Sequence, residues 1–151
     1  MEYAGFWPRL WALLIDQILV GVAAFIVGFV IGFIIGISGG DITTGVEWTI
    51  NVIVVVGYYL YYAIMESSPA QATVGKQALG IQVTDLEGNR ISFWRALGRN
   101  LAKIVSALTL FIGYIIAGFT ARKQALHDLI ASTLVVKKAT APAPAPTEQT
   151  A

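Results

Sequence analysis

Residues 10–37 read LWALLIDQILVGVAAFIVGFVIGFIIGI, twenty-eight residues in which Asp16 carries the only charge. As a helix this stretch is about 42 Å long, and about 20 residues suffice to cross the hydrocarbon of a bilayer. It therefore reads as a membrane-spanning helix that tilts or projects at one end. Trp7-Pro8-Arg9 opens it. Pro8 suits a first helical turn, and Trp7 and Trp11 suit the membrane interface. The run is too long for the apolar core of a cleaved signal peptide, and Arg9 is the only basic residue ahead of it.

Composition agrees. Of 151 residues, 56% are hydrophobic and 13% charged, against about 25% charged in an average soluble protein. One domain of this size leaves roughly 30% of its unfolded surface exposed, and this much apolar surface calls for lipid as solvent. A net charge of +1 gives no bulk field to draw nucleic acid. With no cysteine and one histidine, disulfides, thiolate catalysis and a histidine-rich metal cluster are excluded.

Two further segments follow. Residues 46–65 span about 30 Å if helical, with Trp48 at one end and Tyr58, Tyr59, Tyr61 and Tyr62 at the other. This is the pattern of two aromatic interface belts. Residues 104–121 lie between Lys103 and Arg122, cover about 27 Å, and are weakened by Gly113 and Gly118. No lysine or arginine lies between Ser38 and Glu47, a connection that carries Asp41 and Glu47. The bias of basic residues toward the cytoplasm puts that connection outside and the N-terminus inside. A straight third crossing would place Arg122, Lys123, Lys137 and Lys138 outside. A re-entrant third segment keeps them, and the C-terminus, inside, and is favoured.

Residues 79–83 and 90–92 flank the turn Asp85-Leu86-Glu87-Gly88-Asn89 and read as a β-hairpin. Residues 133–136 are a further strand-like run that could add a strand. Residues 92–103 read as an interfacial amphipathic helix, capped by Ser92, with Arg95, Arg99 and Lys103 at i, i+4 and i+8. Residues 139–151 are rich in alanine and proline and read as a disordered tail, which leaves residues 1–138 as the membrane domain.

Asp16 is the sharpest chemical signal. A carboxylate at membrane depth costs several kcal/mol unless it is paired, protonated or in a wet cavity. Arg9 lies two helical turns earlier on the same face. The two could approach each other, or each could pair with another segment, and Asp16 reads either as part of a structural ion pair or as a proton or cation site. Ala24, Gly28, Gly32 and Gly36 form a small-residue stripe that admits another helix, from this chain or another. Thr73-Val74-Gly75-Lys76-Gln77 lacks the first glycine and the Ser/Thr of a phosphate loop, so it reads as a turn placing Lys76 near headgroups or a buried acid. His127-Asp128 has no nucleophile placed with it, so an enzyme is disfavoured.

Together these pieces resemble the RDD family of membrane proteins. The resemblance rests on Ala4-Gly5-Phe6-Trp7-Pro8-Arg9-Leu10, Asp16, residues 72–76 and 79–83, the hairpin turn, Arg95-Ala96-Leu97-Gly98-Arg99, and residues 122–133. It implies a bacterial-type polytopic protein of the cell membrane with Arg9, Asp16 and Asp128 as signature residues. Val74 stands where members often have proline, and Ser132 where they often have glycine. Some members are proposed cation/proton antiporters.

The expectation is an all-α polytopic membrane protein: two long transmembrane helices, a third short or re-entrant segment, and a small cytoplasmic β-hairpin. Arg9, Asp16 and Asp128 are expected to cluster near the cytoplasmic interface, supported by Lys76, Arg95, Arg99 and His127. No cofactor is expected. Besides the lipid bilayer, the partner is a second copy or another membrane protein. Two functions fit: a subunit of a monovalent cation/proton transporter acting through Asp16, or a non-transporting partner or scaffold protein. Two or three spans cannot enclose a gated path, so transport would need an oligomer.

Overall fold

The computed structural model describes residues 1–108 and 112–138; the alanine/proline tail, residues 139–151, lies outside the described residues. Helix α1 (Phe6–Ile37) carries Pro8 in its first turn, where the missing N–H has no helical partner to lose. It ends at Gly39, whose φ of 70° turns the chain back. Helix α2 (Thr44–Ser67) returns and stops before Pro69, with Ser68 already extended. Both helices are long and apolar enough to cross a membrane.

The two touch each other sparsely. Along its most apolar stretch α1 is buried nowhere within the chain, and the phenylalanines Phe25, Phe29 and Phe33 point outward. Against water such exposure would be prohibitive. Against acyl chains it costs nothing, because lipid is as apolar as the side chains.

At the other end of the two helices the chain packs. Helix α3 (Val74–Ala78) is a single turn seated on α1, its first turn capped by Thr73. Strand β1 (Ile81–Asp85) follows, then α4 (Phe93–Leu108), α5 (Ile112–Phe119), α6 (Leu126–Ala131) and strand β2 (Thr133–Lys137). β1 and β2 pair antiparallel, with Val83 opposite Val135. The N-terminal residues extend the sheet: Ala4 N–H donates to Val135 O at 2.8 Å, and Lys137 N–H to Glu2 O at 2.8 Å. The small core gathers Ala4, Ala12, Ala63, Ile81, Val83, Ile91, Ala96 and Val135. Alanines dominate at the helix crossings because they let backbones approach closely.

The expected hairpin is corrected. Residues 90–92 do not return along β1; the C-terminal run 133–137 takes that edge. Leu134, Val135 and Val136 are buried there. Arg90-Ile91-Ser92 could offer the pairing only one apolar side chain. The turn itself forms, with Asp85 Oδ1 accepting from Glu87 N–H at 2.9 Å and Asn89 N–H at 2.8 Å. It leads into α4 rather than into a second strand, and Ser92 Oγ accepts from Arg95 N–H at 3.3 Å at the helix start. The described part of residues 104–121 is divided between the end of α4 and the eight-residue α5.

Ser132 closes α6 in the left-handed conformation, φ 52° and ψ 51°. A side chain there is strained by about 1 kcal/mol, which glycine avoids. Ser132→Gly is therefore expected to raise the midpoint of thermal unfolding in detergent by a few degrees; a lowered midpoint would contradict the account of this turn.

Candidate functional site

Two polar sites lie where the ends of α1 and α2 meet α3, α4 and α6. The first is built on Asp16, 1% exposed. Its Oδ1 accepts from Gly75 N–H at 2.8 Å and Tyr61 O–H at 3.0 Å, and its Oδ2 from Thr73 O–H at 2.5 Å. Tyr61 Oη in turn accepts from Val74 N–H at 3.1 Å. The carboxylate thus caps the first turn of α3 and fastens it to α1. The packing leaves no room for a side chain at Gly75, since a Cβ there would run into the Ala12 carbonyl oxygen. Glycine's role in this motif is close backbone approach, not phosphate binding.

The second site is an ion-pair network around Glu66 and Asp128, each 0% exposed. Arg99 bridges them. Its Nη1 donates to both Glu66 oxygens at 2.8 Å, while its Nε and Nη2 reach Asp128 Oδ1 at 2.8 and 2.7 Å. Glu66 also binds the Lys76 ammonium and accepts from Asn100 Nδ2 at 3.1 Å, with Lys103 Nζ at 3.9 Å. Asp128 also binds the Arg9 guanidinium and accepts from Ala125 N–H at 3.1 Å, closing the start of α6. Arg9 further donates to Ala4 O at 3.1 Å and Lys123 O at 2.6 Å. Each carboxylate is held by at least two cations, which is the condition under which buried charge is tolerated.

The signature residues therefore divide. Arg9 and Asp128 share the network, whereas Asp16, which borders the same small cavity as Arg9, takes its hydrogen bonds from hydroxyl and amide donors. Of the supporting residues, Lys76 and Arg99 join Glu66, and His127 Nδ1 lies 3.1 Å from Ser106 Oγ. Arg95 is exposed on α4. It lies on the same side of α4 as Arg99 but one turn nearer the helix start, short of the residues that Arg99 reaches. Ala24, Gly28, Gly32 and Gly36 lie away from the site. A Cβ at any of the three glycines would meet nothing within 4 Å, so the chain's own second helix does not fill the stripe. Five more residues complete the two sites: the sequence points to Lys103 only through the basic row of α4, to Thr73 only through the turn before Lys76, to Tyr61 only through the aromatic belt, and to Glu66 and Asn100 not at all. Among the described residues no group of three His, Cys, Asp or Glu is placed to hold a metal ion.

Burial pushes the Asp128 pKa up, but the adjacent Arg99 and Arg9 guanidiniums outweigh it and hold the group below the usual carboxylate range. Desolvation lowers the Lys76 ammonium despite the attraction of Glu66. It likewise draws Lys103 down to about 7, again opposed by Glu66. Desolvation keeps His127 neutral, its pKa well below 6.5, although Asp128 favours the charged form.

The His127 shift makes stability depend on pH. Unfolded His127 takes up a proton near pH 6.5 and the folded group does not, so stability falls as pH drops below 6.5. The loss reaches up to about 1.4 kcal/mol by pH 5.5. Thermal unfolding in detergent is expected to show a lower midpoint at pH 5.5 than at 7.5, with the difference reduced in His127→Gln. A rise in stability on acidification would contradict the neutral, buried ring. Lys103, drawn down to about 7, adds stability in the same direction over the upper part of this range, so the difference is expected to shrink in His127→Gln and not to vanish.

A family model described as RDD family matches residues 3–132. The chain belongs to the RDD family. It is 35% identical over 149 residues to the uncharacterized protein YxaI of Bacillus subtilis (strain 168), covering 89% of this chain and 97% of that one. It is 30% identical over 141 residues to the uncharacterized membrane protein YteJ of the same organism, covering 89% and 80% of the two chains. No solved structure matches. The two apolar helices and this membership make the chain an RDD family membrane protein, in contact with the lipid bilayer.

Proposed function

We propose that this RDD protein is a non-transporting membrane partner: a two-helix anchor whose polar end is locked into a rigid cap that other membrane proteins engage. The observation that carries this reading is the saturation of the buried carboxylates. Asp16 accepts three hydrogen bonds and fixes α3 to α1. A carrier carboxylate must exchange a proton or cation in each cycle, and here that exchange would release α3 each time. Glu66 and Asp128 are held by Arg99 between them, an arrangement that resists movement.

The topology in this reading has both termini on the cytoplasmic face. Residues 2–4, 81–85 and 133–137 share one small sheet, and the basic residues cluster at that end. The segment from α4 to α5 then enters and leaves on the same side, with the outward side chains Trp94, Leu101, Ile104 and Leu108 in the interface. α1 and α2 diverge above the cap, which leaves an apolar groove lined by Val20, Ala24, Val27, Ile53 and Gly57 for a helix of a second protein.

The test has two arms. In proteoliposomes carrying the purified protein, an imposed sodium or potassium gradient is expected to drive no proton movement beyond that of protein-free vesicles. A photo-crosslinker at Val27 is expected to capture one discrete membrane protein in cells. Wild-type proton-coupled flux that Asp16→Asn abolishes would replace this reading with transport.

A further inference from the structure

The ion-pair network borders a partly open cavity of about 40 Å³ lined by Arg9, Asp16, Tyr62, Lys76, Arg99 and Lys103. A water needs roughly 10–15 Å³ by the same measure, so the space takes about three oxygen-sized atoms. That is room for the oxygens a phosphate group can present inward, two from a diester or three from the free ion, with the rest of the group at the open side of the cavity.

The charge around it is unbalanced. Among the described residues, the four cations Arg9, Lys76, Arg99 and Lys103 are paired with two carboxylates, Glu66 and Asp128. Counting Asp16, whose oxygens are already occupied, still leaves positive charge in excess. Buried charge without compensation is unfavourable, and an anion in the cavity supplies the compensation. Lys103 is the loosest cation. It stands 3.9 Å from Glu66 Oε1, and its Nζ lies 4.2 Å from the centroid of the Tyr62 ring. Its side chain is 14% exposed, more than that of any other cation in the network. A second sign of a missing ligand is Tyr62 itself. The residue is 1% exposed, and among the described residues its hydroxyl, although near that of Tyr58, has no partner in hydrogen-bonding geometry. Buried hydroxyls are seldom left so.

We propose that this cavity binds one phosphate oxyanion, held by the Lys103 and Lys76 ammonium groups and the Tyr62 hydroxyl. The phosphodiester of an anionic lipid can supply it, since basic pockets between transmembrane helices at their cytoplasmic ends are suited to headgroups. Inorganic phosphate offers the same chemistry from solution. The inference is independent of whether a partner protein docks on the helices.

The experiment uses the full chain, stripped of lipid and placed in nanodiscs. In phosphatidylcholine discs, inorganic phosphate is titrated at constant ionic strength. In a second arm, discs containing phosphatidylglycerol are compared with phosphatidylcholine alone, and retained lipid is counted by native mass spectrometry. Binding in the first arm assigns the soluble anion, and binding in the second assigns the headgroup; either supports the site. Lys103→Met is expected to weaken binding about tenfold or more, and Lys103→Arg to retain most of it. Tyr62→Phe, which removes only the unpartnered hydroxyl, is expected to weaken it several-fold. Arg90→Gln, on the surface, leaves it unchanged. Binding of neither probe, or equal binding by wild type, Lys103→Met and Tyr62→Phe, would overturn the proposal.

Discussion

Glu66→Gln is expected to remove about 3–5 kcal/mol of folding stability, the cost of breaking a buried ionic network from one side. The reason is what it leaves behind. The Lys76 ammonium and one end of the Arg99 guanidinium lose their counter-charge in a site from which water is largely excluded, and Lys103 loses its nearest carboxylate. Glutamine keeps the shape and one acceptor oxygen but none of the charge. Against a typical total of about 5–15 kcal/mol, the loss takes much of the margin. The variant is expected to lose its monodisperse peak in mild detergent, or to unfold many degrees below wild type. A second change, Lys76→Met, should recover part of the loss, because it removes one of the stranded charges. Coupling between the two sites of about 0.5–3 kcal/mol is expected from such a cycle. Strict additivity would mean that Glu66 and Lys76 do not sense each other.

Gly75→Ala is expected to be nearly as damaging, for a steric reason. The added Cβ meets the carbonyl oxygen and carbon of Ala12 and comes within 3.0 Å of Asp16 Cγ. The first two are backbone atoms of a long helix and cannot step aside. α3 must lift off α1, which breaks the 2.8 Å hydrogen bond from Gly75 N–H to Asp16. Overpacking costs about 1–3 kcal/mol and a lost hydrogen bond to a charged group about 1.5–3 kcal/mol. Together the loss is about 3–5 kcal/mol, measured as a fall in thermal unfolding midpoint. Gly98→Ala is the control: it adds the same methyl on α4, where nothing lies within 4 Å. Equal behaviour of the two variants would contradict the close contact of α3 with α1.

The two apolar helices were legible in the sequence because lipid-facing helices need only length and hydrophobicity, both local properties. Arg9 and Asp128 were legible as charges of interest, but their pairing joins residues 119 positions apart. No spacing rule reaches that far. Helical periodicity places Arg9 and Asp16 on one face and leaves open whether they pair with each other or each with another segment. The fold offers Arg9 the more distant carboxylate and fills Asp16 with donors from Thr73, Gly75 and Tyr61. Glu66 was hidden for a different reason. At the end of an apolar helix it reads as the first residue of a polar connection, and only tertiary packing makes it the hub. The strand pairing followed the same logic: a hairpin is the nearest partner in sequence, but the β-branched run at 133–136 buries more.

Both departures from the family pattern fall at helix ends. Glycine at position 132 in many family members is explained by the left-handed backbone that ends α6, which serine adopts here under strain. Val74 lies in the first turn of α3, where proline is equally suited. Its N–H is not idle, however: it donates to the Tyr61 hydroxyl, a bond that proline would forfeit.

In the proposed topology the elements joined by the polar lock all lie on one face of the membrane. Because the chain has no cysteine, single cysteines can be placed at will. Asp41→Cys, in the connection between α1 and α2, Glu87→Cys, in the turn after β1, and Lys138→Cys, just past β2, all sit at exposed positions. In intact cells a membrane-impermeant maleimide is expected to label Asp41→Cys alone, and the other two only after permeabilisation. Labelling of Lys138→Cys from outside, with Glu87→Cys still protected, would place β2 across the membrane from β1 and contradict the account.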